Sequence, residues 1–275
     1  MEADTSAKPR QGRDLVAATT VGVGLIALLA LALVLPPSAL TVLIGALLVA
    51  AYVELGRVLG DLSRPVHVDV LIVVTVALLA ATQLLGARGQ AIGLTVLVAA
   101  ALLRSLADRA RTDVVGTVAR TVLLGAWLGG LASYALLIRS LDGAVVLLVA
   151  VLGATAAGDI GAYAFGSWLG RRPIAPSVSP NKTWEGFVGG LIAAASLAAV
   201  VLPLDGTSSM LRGAVIGVAV GVAGFLGDLV ASMLKRDLGV KDLGRLLPGH
   251  GGVLDRVDGL LLALPVGYAL LVLLP

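Results

Sequence analysis

Nine runs of apolar residues, each close to the length of a bilayer-crossing helix, recur along this chain, with most charged residues confined to the breaks between them. A hydrocarbon core about 30 Å thick takes about 20 helical residues to cross. The runs lie near 14–35, 38–57, 68–87, 89–104, 115–138, 143–165, 186–204, 212–234 and 257–274. Only 13% of the 275 residues are Asp, Glu, Lys or Arg, 58% are hydrophobic, and the mean hydropathy is +1.02. A water-soluble globule is excluded, because ordinary soluble domains carry roughly a quarter charged residues. The expected fold is all-α, a polytopic integral membrane protein of about nine transmembrane helices. Its segments are a tail over 1–13, five spans over 14–138, and a region over 139–275 with four spans and two long polar stretches, 166–185 and 235–256.

The first run follows Lys8, Arg10 and Arg13 and resembles a signal peptide. It lacks an Ala-x-Ala site and ends in Pro36-Pro37, so it is read as a permanent span. The fourth run is the shortest, with Arg104 at its end. Placing the N-terminus in the cytoplasm puts sixteen of the 20 Lys and Arg residues in cytoplasmic segments, and Arg120 lies near the same side. Only Arg88, Arg139 and Arg212 fall outside, as the positive-inside rule requires of this topology. The isoelectric point near 9.5 therefore reflects topology, with no nucleic-acid partner implied. Absence of cysteine removes disulfides, thiolate metal sites and a cysteine nucleophile.

Both long polar stretches are expected on the cytoplasmic side, at the inner membrane. Ser179 to Gly186 reads SPNKTWEG and closes the first of them. Ser179, Lys182 and Thr183 offer an ammonium and two hydroxyls beside a helix start, whose free N–H groups favour anions. It reads as a phosphate-contacting turn. An equally simple reading makes Thr183 the cap of the seventh span, Trp184 an interfacial aromatic and Lys182 a topological charge. Asp159, near the end of the sixth span, is either a further site carboxylate or a partner of Arg171 or Arg172. Glu54 and Arg57, three apart, read as an intrahelical pair whose ends snorkel. Gly186, Gly189 and Gly190 read as positions where helix backbones meet.

The second stretch is denser. Asp228, Ser232 and Lys235 share one helical face, with Asp228 about 10 Å deeper than Lys235. A carboxylate at that depth is costly and needs a partner. Asp255 and Asp258 are three apart at the start of the ninth span, and Gly249-His250-Gly251-Gly252 allows close backbone approach to a ligand. Hard oxygen ligands such as Asp228 and Asp258 suit Mg²⁺ with a nucleoside triphosphate, and Asp255 is counted with them as a candidate ligand. Lys235, Arg236, Lys241 and Arg256 would neutralise phosphates. His250 is either a structural hydrogen-bonding residue or a base. Gly22 to Ala27 satisfies G-x-G-x-x-A, but it lies inside a span with no strand before it. No Walker A loop, HExxH or G-x-S-x-G occurs.

From Ser232 to Asp258 the chain meets, without mismatch, the pattern S-x-apolar-K-R-x4-K-D-x-small-x2-apolar-P/G-x-H-G-G-apolar-x-D-R-apolar-D. It thereby resembles the phosphatidate cytidylyltransferase, or CDP-diacylglycerol synthase, family. SPNKTWEG is similar to the family's SPKKTxEG, with Asn181 where lysine is common, and Ala231 stands where glutamate is usual. The resemblance implies a reaction of CTP with phosphatidate at the bilayer surface, giving CDP-diacylglycerol and pyrophosphate with Mg²⁺. It also implies Asp228 and Asp258 as metal ligands, with room for a monovalent ion such as K⁺. Lys182 and Lys235 join them as catalytic candidates; Ser179, Thr183, Ser232, Arg236, Lys241, Asp242, His250, Gly251, Gly252, Arg256 and Asp159 are candidates for substrate contacts. A second copy of the chain is left open as a homodimer partner. Competing readings are a CTP-dependent lipid kinase and an ion-coupled secondary transporter with Asp159 and Asp228 on its path.

Overall fold

The computed structural model describes residues 15–109, 112–244 and 252–274. It is a polytopic helical bundle whose long helices follow the apolar runs. They are α1 (Leu15–Val34), α2 (Pro37–Asp61), α3 (Val68–Leu85), α4 (Ala87–Ala107), α5 (Val114–Arg139), α6 (Ala144–Leu169), α7 (Trp184–Val201), α8 (Met210–Asp237) and α9 (Leu254–Leu273). Among the described residues, α2 to α9 are the 8 helices long and apolar enough to cross a membrane. The portion of α1 that can be judged, Gly22–Val34, is shorter than a full span. No soluble domain interrupts the series among the described residues.

Local chemistry sets the boundaries. Proline at the first position of α2 supplies the φ a helix start needs and lacks only an N–H that would be unpaired there anyway. The fourth helix runs past Arg104 to Ala107 because that guanidinium is satisfied at the helix end, by Asp69 at 2.8 Å and by Asp108 one turn on. Beside it, buried His67 Nε2 and Ser105 Oγ lie 2.7 Å apart, stitching α3 to α4. A π-helical stretch, Gly125–Gly130, widens α5 in mid-membrane. Where α6 meets α7, Gly190 has no room for a side chain: a Cβ there would lie 2.7 Å from the Gly158 carbonyl oxygen. Gly186 is equally crowded against the Ala162 carbonyl, so these two are contact positions between backbones, whereas Gly189 instead makes room for the Phe165 side chain.

The 166–185 stretch holds the only strands among the described residues. Strands β1 (Pro173–Ala175) and β2 (Ser179–Thr183) pair antiparallel in a small hairpin between α6 and α7. SPNKT is thus an extended strand and not a turn, and Thr183 then caps α7, accepting from the Gly186 N–H at 3.1 Å. Glu185 accepts from the backbone N–H groups of Arg171 and Arg172 at 3.0 and 3.3 Å, closing the hairpin base. Buried side chains from both halves of the chain, Tyr52 and Leu71 as well as Leu148 and Leu261, join in a single core cluster.

Candidate functional site

The hairpin, the end of α8 and the start of α9 meet at one end of the bundle. Backbone contact makes this possible: at Gly227 a Cβ would come within 2.7 Å of the Asp258 carbonyl oxygen. The residue after Gly227 is Asp228, so α8 and α9 are closest where each presents a carboxylate.

Two ammonium groups and three carboxylates build the site. The partner that a recessed Asp228 needs is Lys182 of β2, with Nζ 2.7 Å from Oδ2. The ammonium also lies 4.5 Å from the centre of the Phe225 ring, a cation–π contact that helps hold it in a half-dry position. Ser232, one turn on from Asp228, donates to its Oδ1 at 3.3 Å, as the shared face predicts. Lys235 does not join that pair. Its Nζ turns to α9, 2.9 Å from Asp255 Oδ1 and 3.8 Å from Asp258 Oδ2. Asp258 Oδ1 accepts from the Gly259 N–H at 2.9 Å. The assembly is two carboxylates, Asp228 and Asp258, flanked by one ammonium each and near enough to repel one another.

Asp255 occupies a different place from its neighbour. Besides Lys235, it accepts from the backbone N–H groups of Leu243 at 3.1 Å and Gly252 at 2.9 Å, and its side chain is only 4% exposed. Both oxygens are engaged: Oδ1 takes Lys235, and Oδ2 alone ties Leu243 to Gly252. The structure therefore uses Asp255 as an anchor between Leu243 and Gly252, a role its i, i+3 spacing from Asp258 does not reveal.

The other candidates separate in the same way. Arg236 Nε donates to the Val178 carbonyl at 3.2 Å, bracing the hairpin against α8. Asp159 makes no ion pair with Arg171 or Arg172 among the described residues; it lies within electrostatic reach of Asp228 and Lys182. Ser179 pairs with Ala175 in the hairpin. Lys241 and Asp242 line a cavity of about 750 Å³ with Glu54, Arg57 and Asp61, a volume that fits a nucleotide-sized ligand. Arg256 sits in the first turn of α9 at the mouth of a separate, apolar cavity. His250 and Gly251 lie outside the described residues.

Sequence reasoning misses one residue. Glu54 of α2 is buried, 8% exposed, and accepts from the Val253 N–H at 3.0 Å, with Gly244 packed against its carboxylate. It is not a snorkelling surface partner of Arg57. A carboxylate in mid-sequence of an apolar helix was the available signal, but its partner is 199 positions away. Through it the N-terminal helices hold the segment that carries Asp255 and Asp258.

A bundle of membrane-crossing helices with paired carboxylates and ammonium groups at one polar end defines a membrane-embedded protein equipped for phosphate chemistry. Comparison with known proteins gives this class a family. The chain matches the cytidylyltransferase family over residues 16–274. A phosphatidate cytidylyltransferase of Mycobacterium leprae (strain TN) is 35% identical over 296 aligned positions, covering 100% of this chain and 93% of the relative. The protein of that name from Mycobacterium bovis (strain ATCC BAA-935 / AF2122/97) is 33% identical over 282, covering 97% and 91%. One from Haemophilus influenzae (strain ATCC 51907 / DSM 11121 / KW20 / Rd) is 47% identical over 114, covering 40% of each. The chain belongs to the cytidylyltransferase family, and it is a nucleotidyltransferase.

Proposed function

We propose that this chain transfers the cytidylyl group of CTP to phosphatidate, forming CDP-diacylglycerol and pyrophosphate. The observation that carries the reading is the meeting of Asp228 and Asp258, one from each of two helices, with Lys182 and Lys235 at their flanks. Relatives spanning the full chain and named phosphatidate cytidylyltransferase support the choice of substrates.

The chemistry asks little of a base. A phosphate oxygen of phosphatidate is already anionic at neutral pH and attacks the α-phosphorus of CTP in line. The bond from that phosphorus to the bridging oxygen breaks, and pyrophosphate leaves with the electron pair. Rate then depends on positioning and on neutralising negative charge. Lys182 and Lys235 supply fixed positive charge at the site, and Lys241 lines the cavity of about 750 Å³. The active end faces the cytoplasm at the inner membrane, which the distribution of Lys and Arg and the need for CTP both support.

The donor set fits Mg²⁺. Among the described residues no group of three or more His, Asp or Glu converges on one point, so there is no all-protein cage. Two oxygen-donor carboxylates that leave further positions to phosphate oxygens and water are what Mg²⁺ ordinarily takes. Asp228 and Asp258 would hold it. When bound, it supplies charge neutralisation at the reacting phosphates.

Purified protein supplied with radiolabelled CTP and phosphatidate should give chloroform-soluble label and one pyrophosphate per turnover, and a Mg²⁺ chelator should stop both. Release of CDP in place of pyrophosphate would identify a lipid kinase instead. No consumption of either substrate would overturn the reading.

The Glu54 tether should show in the same assay. Alanine there leaves the buried Val253 N–H without this acceptor and loosens the segment bearing Asp255 and Asp258, so kcat/KM should fall about 10²-fold. Glutamine keeps an accepting oxygen and should recover at least a tenth of wild-type turnover. Equal loss in both variants, or none in the alanine variant, would remove the positioning role.

A further inference from the structure

Beneath the polar site lies an apolar cavity of about 290 Å³ between α1, α2, α5, α6 and α9. Leu29 of α1, Leu43 and Leu47 of α2, Leu152 of α6, and Leu260 and Leu264 of α9 are among the leucines that line it, and among the described residues its one charged lining residue is Arg256. Such a space inside a bundle forfeits the dispersion contacts that close packing gives, and a wall of hydrocarbon offers water no partners. What fills it at least cost is another hydrocarbon chain.

Three features say which one. The cavity starts at the first turn of α9, the helix end that also carries Asp258, so it opens at the same end of the bundle as the reacting groups, on a different face of α9. From Arg256 to Leu264, α9 rises about 12 Å, so the slot runs from headgroup level toward the middle of the bundle. Among the described residues α1 packs chiefly on α2, and the cavity lies where α1 faces α9. That leaves a seam between these helices through which a chain can enter sideways from the bilayer. A phosphate monoester carries more than one negative charge near neutral pH and suits a guanidinium at the mouth, whereas a zwitterionic bulk lipid has no net charge to offer.

We propose that this cavity is the slot for one acyl chain of phosphatidate, entered through the α1–α9 seam, with Arg256 meeting the headgroup at its mouth. The proposal rests on phosphatidate being the lipid substrate. It assigns a chain-length dependence to the enzyme and places its origin on particular leucines.

Leu43→Trp and Leu260→Trp fill the slot from opposite walls. In each, the ratio of kcat/KM for dioleoyl to dioctanoyl phosphatidate should fall about tenfold, since every buried methylene excluded is worth a few-fold, while KM for CTP stays within about twofold. A second measurement uses the unaltered protein in phosphatidylcholine vesicles. Phosphatidate bearing a diazirine on one acyl chain should crosslink to residues of 15–34, 37–61 and 254–273, and a diazirine phosphatidylcholine should label them much more weakly. An unchanged chain-length ratio, crosslinks confined to other helices, or equal labelling by both lipids would overturn the slot. If the wild-type protein turns over neither phosphatidate, the substrate assignment itself fails and the proposal falls with it.

Discussion

Replacing Asp258 by Asn should cut turnover about 10³-fold or more while leaving the protein folded, the size of loss seen when an electrostatic group is removed from a reacting centre. Asparagine keeps the shape of the side chain and can still accept from the Gly259 N–H, now at 2.9 Å. It removes a negative charge that faces Asp228 across the α8–α9 contact. Removing one of two neighbouring like charges relieves repulsion, so thermal stability should hold or rise as activity disappears. Asp228→Asn should lose as much activity, but Lys182 then loses its 2.7 Å partner, and stability should drop as well. Asp255→Asn is the informative contrast. It sacrifices the anchor between Leu243 and Gly252 and the closest partner of Lys235, so its melting temperature should fall, with part of the turnover retained. Incorporation of label from CTP into lipid, measured beside a melting curve for each variant, separates the three. Near wild-type turnover in Asp228→Asn or Asp258→Asn would remove both carboxylates from the chemistry.

These contrasts mark where reading a sequence runs out. Hydropathy placed the long helices within a few residues, because the cost of exposing backbone polar groups to lipid leaves apolar runs little choice but helix. Even there, α4 extended beyond its apolar run, since Arg104 at the helix end finds Asp69 and Asp108. The shared face of Asp228 and Ser232 is legible from their spacing, and the two side chains do meet at 3.3 Å. Pairings between distant segments were not. Lys182 could be read as a topological charge until β2 carries it to Asp228, and Lys235 shares a helical face with Asp228 yet bonds across to α9. The hairpin escapes the pattern because Pro180 interrupts any strand-like alternation in SPNKT, and its pairing partner at 173–175 has no pattern of its own. Glu54 shows the limit most clearly: helical spacing proposes Arg57, and tertiary packing supplies the Val253 N–H.

Lys235→Met should be the most destabilising change at the site. Its side chain is 14% exposed, and its ammonium is the counter-charge common to Asp255 and Asp258, whose side chains are 4% and 14% exposed. Truncating one member of such a buried pair leaves uncompensated charge and costs about 3–5 kcal/mol in typical cases. A melting temperature lower by about 5–10 °C in detergent is the expected result, with activity lost because the Leu243–Gly252 link made by Asp255 and the position of Asp258 are disturbed together. Arginine keeps the charge, but its planar fork does not reproduce a compact ammonium between two carboxylates. Lys235→Arg should therefore recover stability better than turnover. Adding Asp255→Asn to Lys235→Met removes both partners of the 2.9 Å bond, so the double variant should be more stable than the sum of the single losses allows. It should stay inactive, because the positive charge beside Asp258 is still missing. Additive losses in that cycle would mean that Lys235 and Asp255 act independently, and full activity in Lys235→Met would mean that the reaction needs no fixed charge at this position.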